Sequence, residues 1–287
     1  MSVQIRMMRP EDVETCGRIC YEAFKGIAER HNFRPDFTPE LAIQLTEAFF
    51  GNPQVYSVVA ESEGRVVGSN HLWEYDEIRA VGPITVDAQA QAQGAGRKLT
   101  EAVVERSRSG RGVRLVQDAF NAASLSLYAS LGFDVKEPLV LIEGAIQGKL
   151  PAGTEVRAIR EEDFEECGAL CRRVHGFERT NELKNTPPFL TSFVAVRDGR
   201  VTAYASAPHF WALNHAVAES EEDMRALLTG AGNLSTGQPL SLLLPTRQTD
   251  LFRWLLKNGM RVLKPMTLMT MGEYQEPRGP YLPSVGY

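Results

Sequence analysis

The sequence predicts an α+β (mixed α/β) protein built from two tandem copies of one domain. Each copy is expected to hold a mixed, mostly antiparallel sheet with flanking helices and a splayed central pair of strands. Three observations carry this expectation. The chain repeats itself without gaps, strand and helix patterns follow one another in mixed order, and Gly82-Pro83 breaks a strand just ahead of a glycine-rich loop.

The repeat comes first. Residues 5–12, IRMMRPED, match residues 156–163, VRAIREED, and Cys16-Gly17-Arg18-Ile19-Cys20 matches Cys167-Gly168-Ala169-Leu170-Cys171 in the same register. Later, Leu131-Gly132-Phe133 resembles Asn258-Gly259-Met260, and a short apolar run follows each. Two copies of one domain account for this. Gly148, Pro151 and Gly153 break structure, so residues 147–153 read as a linker. The expected domains are residues 1–147 and 154–274. A tail at 275–287 is rigid, apolar and aromatic; docking in a groove of the first copy and a weakly ordered terminus account for it equally well.

Within the first copy, residues 3–6 read as a strand. Pro10 then opens a helix at its first turn, where a missing N–H costs nothing, and apolar positions at helical spacing carry it to about residue 29. A second helix covers about 39–49. Residues 56–61 and 66–73 alternate on either side of Glu63-Gly64, a hairpin signature. Residues 79–86 form a strand interrupted by Gly82-Pro83, because proline in a strand marks an edge or a bulge. A helix from about Gly94 to 106, a strand at 113–118, a short helix at 124–130 and a strand at 139–143 complete the copy.

Composition narrows the function. No apolar run nears the ~20 residues that a membrane-spanning helix needs. The net charge of −5 argues against a nucleic-acid face. The N-terminus has no export-type apolar core. Cys16, Cys20, Cys167 and Cys171 sit as i, i+4 pairs with no nearby His or Cys to complete a metal site. They read as small buried thiols in a reducing cytoplasm, and no metal is expected.

The segment 86–96, VDAQAQAQGAG, joins a strand to a helix. The first N–H groups of a helix lack internal partners and carry partial positive charge, which suits a phosphate. Gly94 and Gly96 remove side chains, so the backbone can approach a diphosphate closely. A glycine-rich turn without ligand explains the loop alone equally well. The second element is Asn121-Ala122-Ala123-Ser124-Leu125-Ser126-Leu127-Tyr128, ending in Leu131-Gly132-Phe133. Here Ser124 is placed to cap a short helix, Tyr128 lies one turn on, and Gly132 occupies the position where a left-handed residue ends a helix.

Together these two segments resemble the coenzyme-A loop and the following motif of the GNAT superfamily of N-acetyltransferases, in order and in separation. The resemblance covers most of residues 3–145. Asp87 and Ala88 depart from the family's usual loop. The resemblance implies two tandem GNAT-like domains, with acetyl-CoA as co-substrate and a small-molecule or peptide amine as acceptor. It implies that the backbone of Ile84, Thr85 and Val86 pairs with the pantetheine arm. Gln91, Ala92, Gln93, Gly94, Ala95, Gly96 and Arg97 would hold the pyrophosphate. Asn121 and Ser124 would contact the pantetheine or phosphate region, and Tyr128 would stand near the thioester sulfur as general acid. An unpaired N–H near Ile84 would stabilise the thioester oxyanion.

The general base is open. Glu74, Asp76, Glu77 and His71 are candidates, and each is equally at home as an exposed strand or turn residue. The second copy has no Gln-x-x-Gly-x-Gly. Glu219-Ser220-Glu221-Glu222-Asp223 begins its helix instead, and Leu255 replaces the tyrosine. It reads as a degenerate copy that binds no coenzyme A. A non-catalytic acyl-CoA sensor on the same fold is the alternative function. A Rossmann-type nucleotide domain would need its glycine loop near the N-terminus.

Overall fold

The structure is a computed structural model and describes residues 3–91, 94–235 and 237–286. Two compact units emerge. The first holds the chain up to Leu115, with Phe120–Asp134 and Thr270–Gly272. The second holds Val116–Ala119, Val135–Met269 and the chain from Glu273 onward.

The first unit runs β1 (Gln4–Met7), α1 (Val13–Arg30), α2 (Pro39–Gly51), β2 (Val55–Ser62), β3 (Arg65–Trp73), β4 (Ile78–Val81) and β5 (Thr85–Val86). It continues with α3 (Ala95–Ser107), β6 (Gly112–Asp118), whose first residues belong here, and α4 (Ala122–Ser130). Its sheet has the order β1-β2-β3-β4-β6, with β5 also on β3. All pairs are antiparallel except β4 with β6. Six of the eight residues of β2 are buried, as a strand covered on both faces requires. The hairpin expected at Glu63-Gly64 is present. Both residues have positive φ, 51° and 72°, and Ser62 pairs with Arg65, the two-residue turn that matches strand twist.

The second unit begins with β7 (Asp134–Gly144) and β8 (Thr154–Ala158), then α5 (Phe164–His175), α6 (Thr180–Lys184), β9 (Phe193–Arg197), β10 (Arg200–Ala205) and β11 (Ala216–Ala218). It ends with α7 (Glu221–Leu234), β12 (Leu240–Pro245), α8 (Thr249–Lys257), β13 (Arg261–Gly272) and β14 (Tyr281–Leu282). One sheet has the order β14-β11-β10-β9-β8, antiparallel throughout. A buried core of Ala195, Ala203, Leu227, Leu242 and Leu255 sits on one side of it, and Cys167, Cys171, Val194, Tyr204 and Tyr281 sit on the other.

The repeat is physical as well as textual. Arg6 Nη1 meets Asp12 Oδ2 at 2.6 Å, and Arg157 Nη1 meets Asp163 Oδ2 at 2.6 Å. Each aspartate also accepts the backbone N–H three residues back, from Arg9 or Arg160. Both arginines hold their carboxylates below the usual range. The glycine after the first cysteine of each pair marks a helix crossing. A Cβ on Gly17 would lie 2.6 Å from the Ile43 backbone, and one on Gly168 would lie 2.6 Å from Thr180 Oγ1. All four cysteines are free and buried.

Two placements rest on pairing between distant residues. The two compact units interleave along the chain. β7 lies wholly but for Asp134 in the second unit, where Leu139–Gly144 pairs antiparallel with Pro245–Leu240 of β12. The tail also joins the second unit, not the first. Tyr281 and Leu282 form β14 and pair with Val217 and Ala216 of β11. Pairings across so many residues leave no local signal in the sequence.

Candidate active site

The site is built around a defect in β3's partner strand. Leu72 pairs with Val81, and Ser69 pairs with Thr85. Two residues of β3 therefore face three residues, Gly82, Pro83 and Ile84, so the interruption is a one-residue β-bulge. The Gly82-Pro83 peptide is cis and Gly82 has a φ of 136°. Gly82 N–H donates to His71 O at 2.9 Å, and Trp73 Nε1–H donates to Gly82 O at 2.8 Å. Before the bulge, β4 pairs in parallel with the start of β6, through Ala80 and Arg114. After it, β5 stays with β3 and, among the described residues, pairs with no other strand. On its outer edge β5 thus carries no strand among the described residues.

Gly68 makes this geometry possible, and the sequence reading passed over it. A Cβ there would stand 2.5 Å from Thr85 O and 3.2 Å from Val86 Cα. A glycine inside a strand pattern is the signal that would have found it.

The loop beyond β5 is organised by Asp87. Its N–H donates to Val67 O, and its Oδ1 accepts from Gln89 N–H at 2.8 Å, capping a single 3-10 turn at Ala88–Ala90. Gln91 is exposed, and its amide reaches back to Val86 O at a long 3.5 Å. Ala92 and Gln93 lie outside the described residues. Gly94 is the residue before α3 and has a φ of 82°. Ala95 is buried, and Leu99 and Val103 carry its face of α3 into the core. The first turn of α3 carries no acidic residue. Its leading N–H groups therefore meet no competing carboxylate. Gly96 leaves room: a Cβ would sit 3.6 Å from Leu127 Cδ2 and 3.7 Å from Val86 Cγ2. The Arg97 side chain is already engaged, donating to Ser130 Oγ at 2.7 Å and lying 3.8 Å from Glu101. Only its backbone is free for the role implied above.

The second segment corrects one assignment. Asn121, not Ser124, caps α4. Its Oδ1 accepts from Ser124 N–H at 3.2 Å, while Ser124 Oγ–H donates to Asn121 O at 3.0 Å. An Asn three residues before the capped N–H is as good a cap as Ser. Tyr128 is buried, its ring meeting the edge of Phe133 at 6.2 Å. Gly132 ends the helix with a φ of 99°, as expected. The structure brings Thr85, Val86, Gly96 and α4 into one unit, with Gly96 facing Leu127 of α4.

The base candidates fare differently. His71 is fully buried rather than exposed. Its Nδ1 is 2.8 Å from Ser57 Oγ, Phe49 packs on its ring, and burial pushes its pKa down to about 3. Glu74 holds Arg106 at 3.0 Å, and Glu77 holds Arg111 at 2.6 Å. The same pairing raises the pKa of Arg106. In the second unit, α7 opens with Glu221, Glu222 and Asp223. Ser220 caps it by accepting from Asp223 N–H at 3.2 Å, and Arg197 holds the Asp223 carboxylate. No group of His, Cys, Asp and Glu suited to a metal occurs among the described residues, and no described helix is long and apolar enough to cross a membrane.

The acetyltransferase (GNAT) family matches residues 23–133, ending on the Phe133 that follows Leu131-Gly132. No curated protein matches the chain. Solved structures do, over nearly its whole length. A putative acetyltransferase from Pyrococcus horikoshii is 16% identical, with 96% of this chain and 91% of that one covered and a TM-score of 0.73. A GCN5-related N-acetyltransferase from Sphaerobacter thermophilus is 14% identical, with 96% of each chain covered and a TM-score of 0.61. A tandem GNAT protein from the clavulanic acid biosynthesis pathway is 13% identical, with 94% and 98% covered and a TM-score of 0.59. These likenesses establish the shared fold. With its bulged strand, its glycine-opened helix and its doubled architecture, the chain shares the fold of tandem GNAT proteins, and its residues 23–133 match the GNAT acetyltransferase family.

Proposed function

We propose that the first unit transfers the acetyl group of acetyl-CoA to a primary amine of a small molecule or peptide. The observation that carries this reading is the outer edge of β5, which bears no strand among the described residues and leads through the loop into the acid-free start of α3. The edge at Ile84, Thr85 and Val86 offers backbone groups to the pantetheine amides. The first N–H groups of α3, at Ala95, Gly96 and Arg97, meet the pyrophosphate. Gln91 and Gly94 shape that loop, and Asn121 and Ser124 set the start of α4 alongside.

Chemistry is a single displacement. The amine nitrogen attacks the thioester carbonyl carbon, the C–S bond breaks, and the sulfur leaves as thiolate. Tyr128 Oη–H gives that sulfur its proton, and the second proton of the attacking nitrogen leaves through solvent to restore the phenol. A backbone N–H of the bulge near Ile84 stabilises the carbonyl oxygen as it gains charge. The amine reaches the site having lost its proton to solvent, since Glu74 and Glu77 are held by arginines and His71 is shut in the core. The second unit takes no acetyl-CoA, because the acids that open α7, Glu221 and Glu222 above all, repel a pyrophosphate.

That same engagement of Glu74, Glu77 and His71 favours a second reading, an acyl-CoA sensor without turnover. Thiol release from acetyl-CoA, followed colorimetrically against a panel of amino acids, polyamines and peptide N-termini, separates the two. Release with at least one amine supports the enzyme. Tight binding of one acetyl-CoA per chain without release supports the sensor. Absence of binding removes both.

A further inference from the structure

The second unit holds a counterpart of the β5 edge, and that edge is filled. Gly68 and Ala203 are each the fourth residue past their turn glycines, Gly64 and Gly199. Gly68 pairs with Val86, and Ala203 pairs with Ala218. β11 is therefore the equivalent of β5, and each runs directly toward a helix, α7 or α3. In the first unit the outer edge of β5 has no strand among the described residues. In the second, β14 lies along the outer edge of β11.

The fit of this segment is that of a bound peptide. Ala218 N–H donates to Pro280 O at 3.0 Å, and Val285 N–H donates to Ala212 O at 2.9 Å. Tyr281 and Leu282 point to opposite sides, Tyr281 into one buried core and Leu282 into the other. The Tyr281 ring stands edge-on to His175 at 5.0 Å. Arg179, itself 3% exposed, donates to Ser284 Oγ and to Gly286 O, both at 3.1 Å. Gln248 is the residue before α8, as Asn121 is the residue before α4. Its amide grips the backbone of one tail residue from both sides: Nε2–H donates to Tyr281 O at 2.6 Å, and Oε1 accepts from Tyr281 N–H at 3.3 Å. A side-chain amide bonding both ends of one residue recognises extended main chain whatever its side chain.

We propose that the outer edge of β11, with Gln248 and Arg179, is a peptide-binding site that takes an extended strand with an aromatic anchor, and that its resident ligand is the chain's own segment 279–286. This stands on the strand pairing and does not depend on what the first unit binds. The ligand is a peptide rather than a phosphate-bearing carrier because the acids opening α7 flank the site.

The test uses the full chain with a protease site inserted between Arg278 and Gly279, cut after folding. A fluorescently labelled peptide, GPYLPSVGY, is then added. The expected result is that the severed segment co-elutes with the protein, that the labelled peptide exchanges into it at one per chain, and that the uncut chain takes up none. A peptide carrying Tyr281→Ala should bind at least roughly tenfold more weakly, since buried aromatic anchors carry most of such binding. In the uncut chain, Gln248→Ala should speed hydrogen exchange at Tyr281 and Val285 while α5 stays protected. A severed segment that elutes separately, equal binding of the Tyr281→Ala peptide, or displacement of the labelled peptide by coenzyme A overturns the proposal.

Discussion

Replacing Gly96 with alanine separates folding from binding, because the structure gives the two effects opposite signs. Gly96 is the second residue of α3, and a Cβ there would meet Leu127 Cδ2 at 3.6 Å and Val86 Cγ2 at 3.7 Å, ordinary contact distances. Removing a helical glycine gains about 0.5–1 kcal/mol of backbone entropy, and the methyl buries part of its surface. The variant should be about 1 kcal/mol more stable, raising Tm by roughly 2–4 °C for a unit of this size. The same methyl stands on the turn whose N–H groups face the proposed pyrophosphate. Losing one charge-assisted hydrogen bond costs about 1.5–3 kcal/mol, so the dissociation constant for acetyl-CoA should rise roughly ten- to a hundredfold. Thermal unfolding and titration calorimetry on one preparation read both. Unchanged donor affinity would reduce the loop to a plain turn. A lower Tm would show that the space read around Gly96 is not there. Gly68→Ala is the contrast. Its Cβ would press on Thr85 O at 2.5 Å, and overpacking of that kind costs about 1–3 kcal/mol.

Three further outcomes are expected. Tyr128→Phe should lower kcat about a hundredfold or more with little change in donor KM, as loss of a general acid does, and unchanged turnover in steady-state assays would remove Tyr128 from the chemistry. His71 has its folded pKa pushed down to about 3, so the unfolded chain binds a proton that the folded one refuses. Its contribution is complete above pH about 6.5 and is lost as pH falls toward 3, at about 1.4 kcal/mol per pH unit. His71→Gln should remove its share of that slope in urea titrations between those limits, leaving the share of His215, which burial also pushes down, whereas the depressed carboxylates of Asp12 and Asp163 act only below pH about 3.9. Burial pushes the Cys16 and Cys20 thiols up to about 12 and raises that of Cys167 as well, so iodoacetamide at pH 8 should leave the folded protein unmodified and label all four cysteines in urea. Rapid labelling without urea would contradict the packing described.

What the sequence made legible was local. The Glu63-Gly64 turn, the glycine ending α4 and the loop before α3 each rest on the conformational needs of a few neighbouring residues. The repeated Arg–Asp pairs and paired cysteines were visible because their spacing is short and preserved. Three features were hidden for physical reasons. β7 chooses β12, about a hundred residues away, and β14 chooses β11, and neither choice leaves a periodic trace in the strand itself. His71 lies on a strand covered on both faces, so alternation could not say whether it was buried. Ser124 and Asn121 are both good caps, and only the geometry of α4 decides between them.

The assignment of β7 to the second unit and of Thr270–Gly272 to the first means that neither unit is one uninterrupted stretch of chain. A cut at residue 150 would leave β7 of the second unit on the first fragment and the three residues Thr270–Gly272 of the first unit on the second. The two units differ in that α7 opens on acids and α3 does not. The family match at residues 23–133 itself crosses the boundary between the units, at Val116–Ala119.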